Sequence, residues 1–80
     1  MHTWNKCDVE FVVINCDDRE VTYHYESMES FRQEWFKEDD PRVPMLDDKL
    51  VSARVEGAEY HGSTFLDVMN AMSIVYGWRY

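Results

Sequence analysis

The sequence contains few of the residues that mark several common functional classes. Its 80 residues include three glycines, two prolines, two cysteines and eight Lys or Arg. The glycines form neither a GxGxxG nor a Walker pattern, so no phosphate-binding loop is predicted. No stretch of about eighteen apolar residues occurs, which is the length that a membrane-spanning helix requires.

Cationic residues are outnumbered two to one, since sixteen Asp or Glu give a net charge of −8. This charge repels phosphate backbones, and no stripe of Lys or Arg compensates for it, so direct nucleic-acid binding is disfavoured. The same charge attracts basic surfaces, and those that bind nucleic acid are the most abundant of these in a cell.

The two cysteines, Cys7 and Cys16, fall within one predicted strand. At about 3.3 Å per residue they would lie roughly 30 Å apart. A disulfide needs Cα atoms within about 7 Å, so we expect both thiols to be reduced. Reduced thiols, together with the absence of a secretory pattern in the first residues, predict a cytoplasmic location.

Hydrophobic periodicity predicts one α+β domain over residues 1–80 with the order ββαββα. Alternation predicts strands over residues 7–16, 20–26, 49–55 and 58–61. Helical spacing predicts helices over about 28–38, capped by Ser27, and after Ser63 or Thr64. We expect a four-stranded, mainly antiparallel sheet with both helices on one face.

Two features of this arrangement carry specific expectations about burial. In the third strand, Val51, Ala53 and Val55 alternate with polar residues and should face the core. The second helix is apolar around most of its circumference, which predicts burial on nearly all sides. Either the first helix or a second copy of the chain would have to cover its outer face.

A long acidic loop over residues 38–48 is the main candidate for a functional site. Loops of this length in small domains are often functional, and its carboxylates could engage Arg and Lys of a partner. The alternative interpretation is that these residues form a solvated surface that only keeps the protein soluble. The predicted partner-binding residues are Glu34, Glu38, Asp39, Asp40, Asp47, Asp48, Trp78 and Tyr80.

The carboxyl-terminal aromatics among these residues have two interpretations. Trp and Tyr are enriched at the energetic centres of interfaces, which favours contact with a partner. Alternatively, Trp78 and Tyr80 fold back to complete a small core.

Catalytic interpretations have little to support them in the sequence. His24 with Glu26, and Glu59 with His61, each share one face of a strand and could bind a metal if those two strands were adjacent. The same groups are the only acid–base candidates, and the sequence shows no nucleophile or substrate pocket beside them. We expect no catalytic residues, no metal and no cofactor.

The profile resembles small phage-encoded inhibitor proteins, notably anti-CRISPR proteins and uracil-DNA glycosylase inhibitors. The resemblance lies in the chain length, the charge of −8, the hairpin–helix order and the acidic residues 38–40 and 47–48. It implies a non-enzymatic inhibitor that occludes a basic surface of a bacterial nuclease complex or related enzyme, partly mimicking DNA. The alternatives are an immunity protein or antitoxin that caps a basic toxin, and a homodimeric scaffold domain.

Overall fold

The computed structural model describes residues 8–77 and has the predicted order of elements, ββαββα. The elements are β1 (Val9–Ile14), β2 (Glu20–Tyr25), α1 (Met28–Trp35), β3 (Lys49–Val55), β4 (Ala58–Tyr60) and α2 (Phe65–Tyr76). The prediction of an α+β fold is confirmed.

The four strands form one sheet in the order β2-β1-β3-β4, and every neighbouring pair is antiparallel. The two predicted hairpins are present. Glu56 and Gly57 connect β3 to β4 with φ values of 48° and 86°. Two successive positive φ values give the turn whose twist matches that of the flanking strands.

In this strand order, β1 and β3 are the central strands of the sheet, and β2 and β4 are its edges.

Both helices pack on the same face of the sheet, as predicted. Alternation along β1 turns Val9, Phe11 and Val13 towards this face, where all three are fully buried. The ring centroid of Phe11 lies 5.1 Å from that of Phe31 on α1 and 4.9 Å from that of Phe65 on α2. These edge-to-face contacts are a favoured aromatic geometry, and they join the sheet and both helices in one core.

The predicted alternation along β3 is only partly correct. Ala53 and Val55 face the core, but Val51 is 49% exposed and Leu50 packs against the core instead. The cause is a shift in register between Val12 and Val13 of β1, opposite this part of β3. An extra residue in one strand exchanges the two faces beyond it.

Polar side chains at the start of each helix accept hydrogen bonds from nearby backbone N–H groups. The Ser27 hydroxyl accepts a hydrogen bond from the Ser30 N–H at 3.1 Å, which confirms the predicted cap of α1. At α2, the Asp67 carboxylate accepts from the N–H groups of Ser63 at 2.6 Å and Thr64 at 3.2 Å. Thr64 is the N-cap of α2, and Asp67 holds the chain in its entry geometry.

The prediction that α2 is buried on nearly all sides is wrong. Its buried residues are Phe65, Val68, Met69 and Met72. Ile74, by contrast, is 82% exposed, and Val75 is also exposed. One sheet face can cover only one side of a helix, so the apolar residues on its other sides stay exposed.

A substitution at Gly62 tests how closely the chain packs against Asp67 where it enters α2. A Cβ atom at Gly62 would lie 2.4 Å from the Cβ of Asp67, which cannot move away as a flexible side-chain end could. We expect Gly62→Ala to lower the free energy of unfolding by about 1–3 kcal/mol, as in other overpacked sites. Urea unfolding measures this, with Ser63→Ala, at the exposed neighbouring position, as the control. Equal stability of Gly62→Ala and the wild type would contradict the close packing.

Candidate functional site

The acidic loop between α1 and β3 begins earlier than predicted, because α1 ends at Trp35. Its middle is fixed by Arg42, whose N–H donates to Oε1 of Glu34 at 2.8 Å. The Tyr25 hydroxyl donates a hydrogen bond to the Arg42 carbonyl oxygen. Burial is the largest influence on the Tyr25 hydroxyl and raises its pKa, which keeps it protonated as a donor. The loop is therefore attached to both α1 and β2.

Asp48 closes the other end of the loop from inside the fold. It is 5% exposed, and its Oδ2 accepts from the Met45 N–H at 3.1 Å. Its own N–H donates to the Met45 carbonyl at 3.1 Å, and its carbonyl accepts from the Phe65 N–H at 2.9 Å. These bonds give Asp48 a role in the loop's own geometry, which differs from the partner-binding role predicted for it.

Glu34 has a similar internal role. Besides holding Arg42, its Oε1 lies 3.7 Å from the Nζ of Lys37. The remaining four predicted carboxylates of the loop, Glu38, Asp39, Asp40 and Asp47, are exposed. The structure thus separates two carboxylates that hold the loop from four that face solvent. Trp78 and Tyr80 lie outside the described residues.

An apolar groove of about 340 Å³ lies along the same loop. Its lining residues are Trp35, Val43, Pro44, Met45, Leu46 and Asp47. Pro44 is buried, whereas Met45 is 66% exposed. Asp47, at one end of this lining, is exposed. Exposed apolar surface with a polar border is characteristic of interaction sites.

Two further exposed apolar residues belong to this loop or lie beside it. Phe36, which follows the groove residue Trp35 in the chain, is 54% exposed. The Leu66 N–H donates to the Leu46 carbonyl at 3.0 Å, which brings the exposed Leu66 beside the loop. The start of α2 therefore contributes to this surface. We name the groove residues with Phe36, Leu66 and the four exposed carboxylates the loop surface.

The β1–β2 turn adds a carboxylate that sequence reasoning missed. Asp18 and Asp47 both line a second cavity, of about 250 Å³, next to the loop surface. They meet because Ile14 at the end of β1 pairs with Lys49 at the start of β3. The continuous apolar run at the end of β1 marks a strand with two neighbours. Pairing β1 with β3 on that ground would have brought Asp18 to the loop.

The strand order does not support the metal site that the sequence left open. His24 and Glu26 belong to β2 and its end, and Glu59 and His61 to β4 and its end. These strands are opposite edges of the sheet, with β1 and β3 between them. Within residues 8–77, no group of three or more His, Cys, Asp or Glu could hold a metal ion.

Cys16 lies in the β1–β2 turn and is an exposed free thiol. Cys7 lies outside the described residues.

None of the helices in the described part of the chain has the length and apolar character needed to cross a membrane. No protein-family model, curated protein or solved structure matches the chain.

Adjacent aspartates allow a direct test of how the loop is held. Asp48→Ala leaves the Met45 N–H without its buried acceptor, which should lower the free energy of unfolding by about 1–3 kcal/mol. Asp47→Ala, at an exposed position, should change it by less than about 0.5 kcal/mol. Urea unfolding of the two variants gives the comparison. Equal effects would show that Asp48 does not hold the loop.

Proposed function

We propose that this protein is a non-enzymatic cytoplasmic inhibitor that binds a basic surface of a nucleic-acid-binding enzyme, such as a bacterial nuclease complex, and blocks it. The single observation that carries the proposal is the loop surface, where one loop holds an apolar groove lined by Asp47 and three more exposed carboxylates, Glu38, Asp39 and Asp40. Its resemblance to anti-CRISPR-type inhibitors in length, charge and element order agrees with this function.

The carboxylates and the apolar groove of the loop surface would contribute to binding in different ways. Asp39, Asp40 and Asp47 can accept charge-assisted hydrogen bonds from Arg and Lys that otherwise contact phosphates. The groove can take an apolar side chain and exclude water around those ion pairs, as the centre of a strong interface does. A surface with basic residues around an exposed apolar side chain would complement both.

The net charge supports fast association with a basic surface, but it does not identify the loop as the part of the protein that binds. Exposed carboxylates also occur outside the loop, for example Glu29 in the first turn of α1 and Glu59 on β4. A net charge of −8 steers any basic partner towards the protein. The groove is what distinguishes the loop surface from these other acidic positions.

A charge-matched pair of variants separates local contact from net charge. One variant carries Asp39→Asn, Asp40→Asn and Asp47→Asn, and the control carries Glu26→Gln, Glu29→Gln and Glu59→Gln. Each loses three carboxylates and so changes the net charge from −8 to −5. We expect the loop variant to bind at least about tenfold more weakly and the control to stay close to wild type.

The measurement starts with affinity capture from a nuclease-treated bacterial lysate and identification by mass spectrometry. Titration of the purified partner with the two variants, in competition with duplex DNA, gives the affinities. Circular dichroism checks that each variant is folded. Equal weakening in both variants would reduce the role of the loop to net charge, and a partner without a basic surface would refute the proposed function. A basic toxin as the partner would favour the immunity-protein alternative.

The groove has a separate test. Met45→Ala should weaken binding by about 1 kcal/mol or more, roughly fivefold, because an exposed groove residue that packs against a partner loses contact area. Its exposure means that the free energy of unfolding should hardly change. Ile74→Ala removes apolar surface from an even more exposed position on α2 and serves as the control. Unchanged affinity of Met45→Ala would exclude the groove from the interface.

A further inference from the structure

The outer side of α2 combines exposed apolar residues with a long stretch that carries no charge. Ile74 is 82% exposed, and Leu66, about two turns earlier, is 39% exposed. Residues 68–78 are the longest run of the sequence without a charged side chain, in a chain of which 30% is charged. Exposed apolar surface is characteristic of an interaction site, and the lack of charge bears on which partner fits it.

Charge favours a second copy of the chain as the occupant of this side of α2. A basic partner gains no ion pair from residues 68–77, whereas the exposed carboxylates of the loop surface offer it several. Two copies that each carry −8 repel one another. They can therefore approach most closely where neither presents a carboxylate, which is the case along the last turns of α2.

The apolar residues on this side are spaced so that the surface can pack against itself. Leu66, Asn70 and Ile74 lie four residues apart and form one ridge along α2. Packing of two such ridges is the commonest class of helix–helix contact in globular proteins. The Leu66 N–H donates to the Leu46 carbonyl at 3.0 Å, so Leu46, which is 37% exposed, lies beside one end of the ridge.

We propose that a second copy of this chain packs its α2 antiparallel against α2, about a two-fold axis at Asn70. In this arrangement Ile74 of each copy lies opposite Leu66 of the other, next to Leu46. Both apolar positions of the ridge are then covered in both copies. The antiparallel orientation also sets the positive end of each helix dipole beside the negative end of the other.

The polar groups of the ridge require no hydrogen bond from the second copy. The Ser73 hydroxyl donates to the Asn70 carbonyl oxygen at 2.7 Å. The Asp67 carboxylate accepts from the N–H groups of Ser63 and Thr64. Asn70 already has a partner of its own within the chain, and the proposal uses no bond from its side chain. The contact can therefore close without leaving these groups unsatisfied.

The length of α2 limits the strength of this association. Its twelve residues span about 18 Å, which is short for an interface, since a standard one buries about 800 Å² per partner. We therefore expect a reversible dimer that forms at high protein concentration.

Salt distinguishes this association from the proposed function, on which it does not depend. Salt screens the repulsion between two copies that each carry −8, so self-association should strengthen as salt is raised. Binding of a basic partner should weaken instead. Leu66 belongs to both surfaces, so the affinity for a basic partner is measured at concentrations at which the chain is a monomer.

Sedimentation equilibrium of the wild type, Ile74→Glu and Met45→Glu tests the proposal. Each variant adds one carboxylate at an exposed apolar position and changes the net charge from −8 to −9. Ile74→Glu should raise the dimer dissociation constant about tenfold or more, because the dimer would bury an unpaired charge. Met45→Glu, on the loop surface, should dimerise nearly like the wild type. A wild-type monomer at every concentration, or equal effects of the two variants, would overturn the proposal.

A charge exchange tests the antiparallel register. Leu66→Glu alone and Ile74→Lys alone should each weaken the dimer about tenfold or more, with folding checked by circular dichroism. The double variant keeps the net charge of −8 and sets a carboxylate of each copy against an ammonium of the other. It should dimerise about fivefold or more tightly than either single variant. Within one chain the two positions are about 12 Å apart along the helix, too far to pair. A double variant as weak as the single variants would overturn the pairing of Leu66 with Ile74.

Discussion

The central position of β1 is the constraint on which the rest of the structure depends. Its even-numbered residues bond to β3 and its odd-numbered residues to β2, so both of its edges are occupied. Its inner face carries Phe11, the ring that contacts both helices. An eighty-residue chain has one small core, and here that core is organised around a single strand. Loss of β1 would leave each helix without its shared packing partner.

The same constraint determines where the loop surface lies. Because β1 and β3 are antiparallel neighbours, the turn after β1 and the start of β3 lie at one end of the sheet. The Leu50 N–H donates to the Ser63 carbonyl at 3.1 Å, which brings the start of α2 to that end as well. The loop from α1 must return there to enter β3. Asp18, Asp47 and Leu66 therefore converge although they are distant in sequence.

The sequence predicted the fold well because the apolar pattern of each element has one dominant period. Residues 20–25 alternate, residues 11–14 form the continuous apolar run of a central strand, and residues 28–35 repeat at helical spacing, so the type of each element follows from its own residues. The exposed Val51 could not be predicted, since its orientation depends on a register shift opposite Val12 of another strand. Ile74 was misjudged for a related reason. Apolar residues around a helix indicate burial only if another element is available to cover them.

The site was predicted in composition but not in organisation. Six acidic residues of the loop region looked equivalent in the sequence, because a sequence does not show which backbone N–H group will donate to a given carboxylate. The structure separates them by their partners. Asp48 and Glu34 accept hydrogen bonds from the loop backbone, whereas Asp39 and Asp47 are left facing solvent. Asp67, outside the loop, similarly accepts backbone bonds at the start of α2.

This division of the carboxylates bears on binding as well as on stability. Ordering a flexible loop at an interface costs conformational entropy, which reduces affinity. Glu34 and Asp48 fix the middle and the end of the loop before any partner arrives, so part of that cost is met on folding. The exposed carboxylates and Met45 are then presented from a backbone that is already held in place. The carboxylates of this loop thus fall into two groups: Glu34 and Asp48 shape the loop by accepting backbone hydrogen bonds, and the exposed ones are those that the proposed function assigns to a basic partner.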